Sequence, residues 1–213
     1  MSWMNSTGNN HICRLTGLLL LIIAVSVPLS AQDTPYDQLK QKFQRGEIFN
    51  ADFSHQVIDS FTGDTTLSSG IIWVGENRYK VLSENKTIMV SGDISRVYDE
   101  DRNRLIISNY EPEEDDFAPS RFLNGTDSTY RVTEQREAND RIHIHFTSED
   151  PFAVFTEVNV TLNSELLPLR IYAVDHADIR HTTRFKTGRF IKPGEQLFVL
   201  DYPDDAEIID MRN

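Results

Sequence analysis

The chain reads as a mainly β protein with few helices: an antiparallel sheet with a leading helix and one short central helix packed on one side. Three observations carry that expectation. One short segment after residue 33 has helical periodicity. Everything after Phe49 runs at a period of two. Turn residues then break the chain at short intervals.

The helix opens at Thr34-Pro35, a capping residue followed by a proline suited to a first turn. Tyr36, Leu39 and Phe43 follow on one stripe, and Gly46 ends the segment. In the first strand Phe49, Ala51, Phe53, His55 and Val57 share one face, and Asn50, Asp52, Ser54 and Gln56 share the other. Further strand-like runs are Gly70–Val74, Arg78–Leu82, Thr87–Val90, Ser95–Tyr98 and Arg104–Ser108. A second group follows at Thr129–Thr133, Arg141–Thr147, Val154–Leu162, Leu169–Val174, Ile179–Thr187 and Gln196–Leu200. Between the groups, Pro119–Leu123 is the candidate central helix. Ser91-Gly92-Asp93 and Asn163-Ser164 mark turns.

The N-terminus points to export. Arg14 is the only charge in the first 31 residues, and the apolar run Leu15–Val27 follows it. That run is about 13 residues, against the roughly 20 that a spanning helix needs. Ser30 and Ala31 then supply small residues for a signal-peptidase cut, with Leu29 larger than usual at the third position back. Residues 1–31 are therefore expected to be a signal peptide, and 32–213 one domain of 213 − 31 = 182 residues in the periplasm. Cys13 precedes the apolar run, so it is not placed for lipidation, and cleavage removes the only cysteine.

Lys and Arg total 21 against 33 Asp and Glu, a formal charge of −12. That balance argues against nucleic acid as a partner and against a basic lipid-binding patch. The acidic run Glu111–Asp116 reads as a solvated loop, since it lacks the alternating carboxylates and central glycine of a calcium loop. Catalytic patterns are absent: there is no Gly-x-Ser-x-Gly, phosphate loop, His-Glu-x-x-His or Gly-x-Gly-x-x-Gly. His143 and His145 share one strand face and could contribute to a metal site, but no third ligand is spaced to join them. His176 and His181 are weaker still. No enzyme and no cofactor are expected.

The chain holds twelve Phe, seven Tyr and two Trp, enough to line an apolar pocket or simply to fill a core. A family resemblance weighs on that choice. Phe49-Asn50-Ala51-Asp52-Phe53-Ser54-His55-Gln56 resembles the first strand of the outer-membrane lipoprotein carrier (LolA) family. Gly70-Ile71-Ile72-Trp73-Val74 is similar to that family's Trp-Val strand, and Tyr79-Lys80-Val81 to the next. Met89 through Asp93, Val97-Tyr98-Asp99 and Arg104–Ile107 run in the family's order. Ala118–Leu123 resembles its central helix, and Phe198–Pro203 through Asp210 its closing segment.

The resemblance implies an incomplete antiparallel β-barrel covered by a lid of short helices. It implies a monomeric carrier that shields the acyl chains of lipoproteins between inner and outer membrane. Its partners would be acylated lipoprotein cargo, an inner-membrane lipoprotein-releasing complex and an outer-membrane acceptor. The physical need is large: an acyl chain of about 15 methylenes costs roughly 12 kcal/mol to expose. The lipid-binding lining is expected from Phe49, Phe53, Trp73, Tyr79 and Val81 on the strands and from Leu39, Phe43, Phe122 and Leu123 on the helices. The other reading is a periplasmic lipid- or protein-binding or sensory module of the same shape. An enclosed apolar cavity would favour the carrier, and a filled interior the module.

One departure stands out. The family's Arg-Pro pair after Trp-Val, whose Arg ties the lid, is replaced here by Gly75-Glu76-Asn77-Arg78. Arg78 is in another register, so the lid role is not transferred to it. A lid held only by apolar contacts such as Phe122 and Leu123, and more open for that reason, is expected. For processing, N-terminal sequencing of protein recovered from the periplasm should begin at or within two residues of Gln32. Retention of Met1 in a membrane fraction would refute the leader assignment.

Overall fold

The computed structural model describes residues 33–126, 128–194 and 196–212. The expected leader and the cut before Gln32 lie outside them. No helix among the described residues is long and apolar enough to cross a membrane.

Helix α1 spans Pro35–Gln44 and is closed at both ends by its own sequence. Thr34 Oγ1 accepts from the Asp37 amide at 3.2 Å, while the Asp37 carboxylate accepts from the Thr34 amide at 3.3 Å. Gly46 takes a left-handed φ of +82° and lets the Glu47 amide reach back to the Lys42 carbonyl at 3.0 Å. Tyr36, Leu39 and Phe43 form the buried stripe.

Strands β1 (Ile48–Asp59), β2 (Thr65–Val74), β3 (Arg78–Ser83), β4 (Lys86–Ser91), β5 (Ile94–Asp99) and β6 (Arg104–Asn109) form the first group. The chain then crosses through a short turn at Pro112–Glu114 and a short 3₁₀ segment, Ala118–Leu123. The second group is β7 (Arg131–Arg136), β8 (Ile142–Thr147), β9 (Phe155–Leu162), β10 (Pro168–Asp175) and β11 (Ile179–Ile191), and β12 (Glu207–Asp210) closes the chain. All twelve lie in one open sheet, ordered β12-β6-β5-β4-β3-β2-β1-β11-β10-β9-β8-β7. Every pairing is antiparallel except β12 on β6. The long pairing of β1 with β11 joins the two groups, so the last long strand returns beside the first.

Register decides the faces. Phe49 pairs with Val74, Ala51 with Ile72 and Phe53 with Gly70. Val74 pairs in turn with Tyr79, and Ile72 with Val81. These side chains point to the inner face together with Ile144, Phe146, Val158, Val160, Ile171 and Phe185 of the second group, and all belong to one buried cluster. Helix α1 and the 3₁₀ segment cover that face: Tyr36 packs edge-on to Phe146 at 5.1 Å, Phe43 to Phe190 at 5.5 Å, and Phe122 to Phe146 at 5.1 Å.

Three expectations need correction. Gln196–Leu200 is not a strand. It crosses the outer face of the sheet, where Phe198 and Leu200 pack with Met89, Tyr98 and Leu105 as a second small core. The segment's apolar residues meet a ready-made apolar patch there, and β12 takes the free edge instead. The seventh strand begins at Arg131 and not Thr129. β2 begins five residues before Gly70, because the long β1 offers pairing partners even to the polar Thr65–Ser69.

Gly70 is sterically required. A Cβ there would lie 1.9 Å from the Leu82 carbonyl oxygen of β3. Gly70→Ala must therefore push two paired strands apart, and should lower unfolding free energy by about 2–4 kcal/mol in urea titration. A change within about 0.5 kcal/mol would show that the β2–β3 register is wrong.

Candidate functional site, the covered inner face and the cleft at its edge

Eight of the nine expected lining residues converge on the inner face. Leu39, Phe43, Phe49, Phe53, Tyr79, Val81, Phe122 and Leu123 are all buried in the same cluster. Trp73 is not among them. It pairs with Asn50 and Lys80, one residue out of phase with Ile72 and Val74, and so projects from the outer face, with the Lys80 ammonium 6.0 Å from its ring. In a strand a shift of one position changes the face, so Ile72 occupies the inward place expected for Trp73.

The interior is packed. Helix α1 and the 3₁₀ segment rest directly on the strands, and Leu39, Phe43, Phe49, Val81 and Leu123 have no exposed surface. Open space begins at the edge of the cover, as a cleft of about 660 Å³. Its walls include Ala118, Phe122, Tyr130, Phe152, Val154 and Phe155. Phe152 stands at the mouth with 91% of its surface exposed. Of this wall, sequence reasoning named Phe122 alone as lining. Phe155 and Tyr130 fall within strand-like runs, but Tyr130 sits in a bend before β7, and Phe152 sits in a turn that carries no periodic signal.

The cover is tied down by polar bonds, which corrects the expectation of a purely apolar lid. Asp115, read from sequence as one of a solvated acidic run, is instead half-buried. Its Oδ2 accepts from the Tyr79 hydroxyl of β3 and from the Tyr110 hydroxyl at 2.8 Å, and its Oδ1 accepts from the Phe117 amide at 2.9 Å. Burial pushes the Asp115 carboxyl up from its ordinary range, and these donors act in the opposite direction. Burial beside that carboxylate likewise raises both phenols. At the far end, Asn124 Nδ2 donates to the Gly75 carbonyl at 2.6 Å, and the Tyr36 hydroxyl donates to the Phe122 carbonyl at 3.0 Å. Arg121 stacks over Tyr110, 4.9 Å from the ring centre. Arg78 takes no part, since it lies on the outer face over Phe198 at 4.2 Å.

A polar stripe crosses the otherwise apolar inner face. His55 Nδ1 lies 2.8 Å from Thr183 Oγ1, and its ring lies 4.9 Å from Phe117 and 6.0 Å from His181. His55 Nε2 and His181 Nδ1 are buried without a partner among the described residues. Burial, then the neighbouring imidazole, pushes His55 down to about 4. Burial lowers His181 too, against the opposing pull of Asp116, Asp175 and Asp115. Both rings are therefore neutral near pH 7. His143 and His145 lie elsewhere, on the other face of β8. His143 Nε2 is 3.1 Å from Glu137, and His145 Nδ1 is 2.6 Å from Asn159. No group of His, Cys, Asp or Glu among the described residues has the arrangement of a metal site.

The ties generate a measurable consequence. A hydrogen bond to a charged group is worth about 1.5–3 kcal/mol. Tyr79→Phe keeps the ring in place and removes one donor to Asp115. Amide exchange across Pro119–Asn124 should then quicken by about tenfold or more, while exchange in β1 and β11 stays as in the parent. Unchanged exchange in that segment would show that Asp115 does not hold the cover.

The sequence matches no family model and no curated protein. Solved structures do match. One is an uncharacterized conserved protein from Thermus thermophilus, with 12% identity and a TM-score of 0.51 over 83% of this chain and 99% of that one. A LolA superfamily protein from Nitrosomonas europaea has 10% identity and a TM-score of 0.45 over 79% and 99%. An outer membrane lipoprotein-sorting protein domain from Vibrio parahaemolyticus has 10% identity and a TM-score of 0.40 over 75% and 93%. The similarity is one of fold: an open antiparallel sheet with a small helical cover.

Proposed function

We propose that the protein holds acyl chains outside the cytoplasm, as a LolA-like periplasmic carrier that passes acylated lipoproteins from an inner-membrane releasing complex to an outer-membrane acceptor. The observation that carries this reading is an apolar inner face covered by two small elements and not by a second sheet. The 3₁₀ segment is short and tied at its ends, so it can lift without unpairing a strand. The cleft at Phe122 and Phe155 is where a chain would enter, and the face carrying Phe49, Phe53, Tyr79 and Val81 is what it would reach. Entry exchanges side-chain contacts for chain contacts at about 25 cal/mol per Å², so loading and release are both accessible.

The packed interior favours a second reading. A binding or sensory module of the same shape would recognise a partner through its surface and never open.

Mass spectrometry of the mature protein, purified from the periplasm without detergent, separates the two. The carrier reading expects copurifying long-chain acyl species. An added acylated peptide should then alter exchange protection in Pro119–Asn124 and in Phe152–Phe155. Absence of acyl species, together with no response to the acylated peptide, would leave the module.

A further inference from the structure

A second cleft of about 400 Å³ lies beside the apolar one and shares with it Pro112 and the wall Phe152–Phe155. Its chemistry is different. Glu113, Asp115, Asp116 and Asp175 line it, and no Lys or Arg does among the described residues. His181 forms part of its wall. That residue is 8% exposed, and its Nδ1 has no hydrogen-bond partner among the described residues. Asp115 and Asp116 of the acidic turn and Asp175 of the β10–β11 turn line this cleft together with that ring, and all three pull on its titration.

We propose that the two clefts together bind an amphiphile whose polar end is an ammonium group, with the acyl or alkyl chain in the apolar cleft and the ammonium in the acidic one. The proposal rests on the acyl-holding reading and adds the charge of the head group. Carboxylates are acceptors only, and a neutral imidazole offers one acceptor nitrogen, so the fitting ligand group is a cationic donor. A carboxylate or phosphate head would meet four acidic side chains in a site partly closed from water, where like charges repel more strongly. The only cation lining the apolar cleft among the described residues is Arg121, and it is already engaged with the Tyr110 ring. A metal ion is a poorer occupant, because these side chains do not form a ligand set.

The test is calorimetric titration of the mature protein near neutral pH with dodecylamine and with dodecanoate, both below their micelle concentrations. Three proteins are compared: the parent, Asp116→Asn/Asp175→Asn, and the charge-matched control Glu84→Gln/Glu100→Gln. Asparagine keeps the side-chain oxygen with which Asp175 accepts from the Ala177 and Ile179 amides at 2.8 Å, so the turn is preserved. The parent should bind the amine about tenfold more tightly than the carboxylate. The cleft variant should bring the two within about twofold of each other, and the control should behave as the parent. Equal affinities in the parent, or a preference for dodecanoate, would overturn the ammonium site and leave the carrier reading standing. An equal loss in the control would reduce the preference to bulk charge and also overturn it. Binding of neither amphiphile would overturn both.

Discussion

A broad open sheet with one apolar face has to bury that face against something, and here it cannot do so against itself. The twelve strands do not close. The aromatic and aliphatic side chains of β1, β2, β3, β8, β9 and β11 are left on one surface, and at about 25 cal/mol per Å² that surface is too costly to leave wet. The rest of the structure answers this constraint. Helix α1 is amphipathic because its Tyr36–Leu39–Phe43 stripe is needed there. The 3₁₀ segment is almost wholly buried, although it is too short to be a stable helix alone. Its position is therefore set by what it covers and by what ties it.

Those ties give the acidic run a role that charge density conceals. Glu111, Glu113, Glu114 and Asp116 are exposed in the ordinary way, and Asp115 is not. A buried carboxylate is expensive unless hydrogen-bonded, and two phenols and an amide satisfy this one. The arrangement links β3, the chain after β6 and the start of the cover at one point. Removal of such a partner leaves an unsatisfied group, which makes the bond decisive for geometry even where its net stabilisation is modest. The outer face is settled by a similar economy. The segment around Phe198 and Leu200 covers Met89, Tyr98 and Leu105, and the Lys80 ammonium donates to the Val199 carbonyl at 2.6 Å.

Open sheets also carry the hazard of free edges. β7 ends the sheet with Arg131, Glu134 and Arg136, charges that discourage further pairing. The other end is capped by β12, only four residues long, whose Arg104–Glu207 ion pair at 2.8 Å fixes its register on β6. The same dependence on register governs the site. The period of two told which residues travel together, but whether Trp73 or Ile72 faces inward was decided by Phe49 meeting Val74 across the β1–β2 pair.

By itself the sequence determined the helix, through its capping pair and glycine stop, and most of the strands, through their alternation. Eight of the nine residues expected as lining lie on the inner face, because local periodicity is a property of consecutive residues. What only the tertiary structure decided is what distant segments do when they meet. It brought β11 back beside β1, laid Phe198 and Leu200 over the outer face, and filled the expected hollow with α1 and the cover. It also turned Asp115 from a solvated charge into a half-buried anchor and joined an acidic cleft to an apolar one. Each of these depends on contacts between residues far apart in the chain, whose energies come from burial and from partners. Neither can be read from a residue's neighbours in sequence.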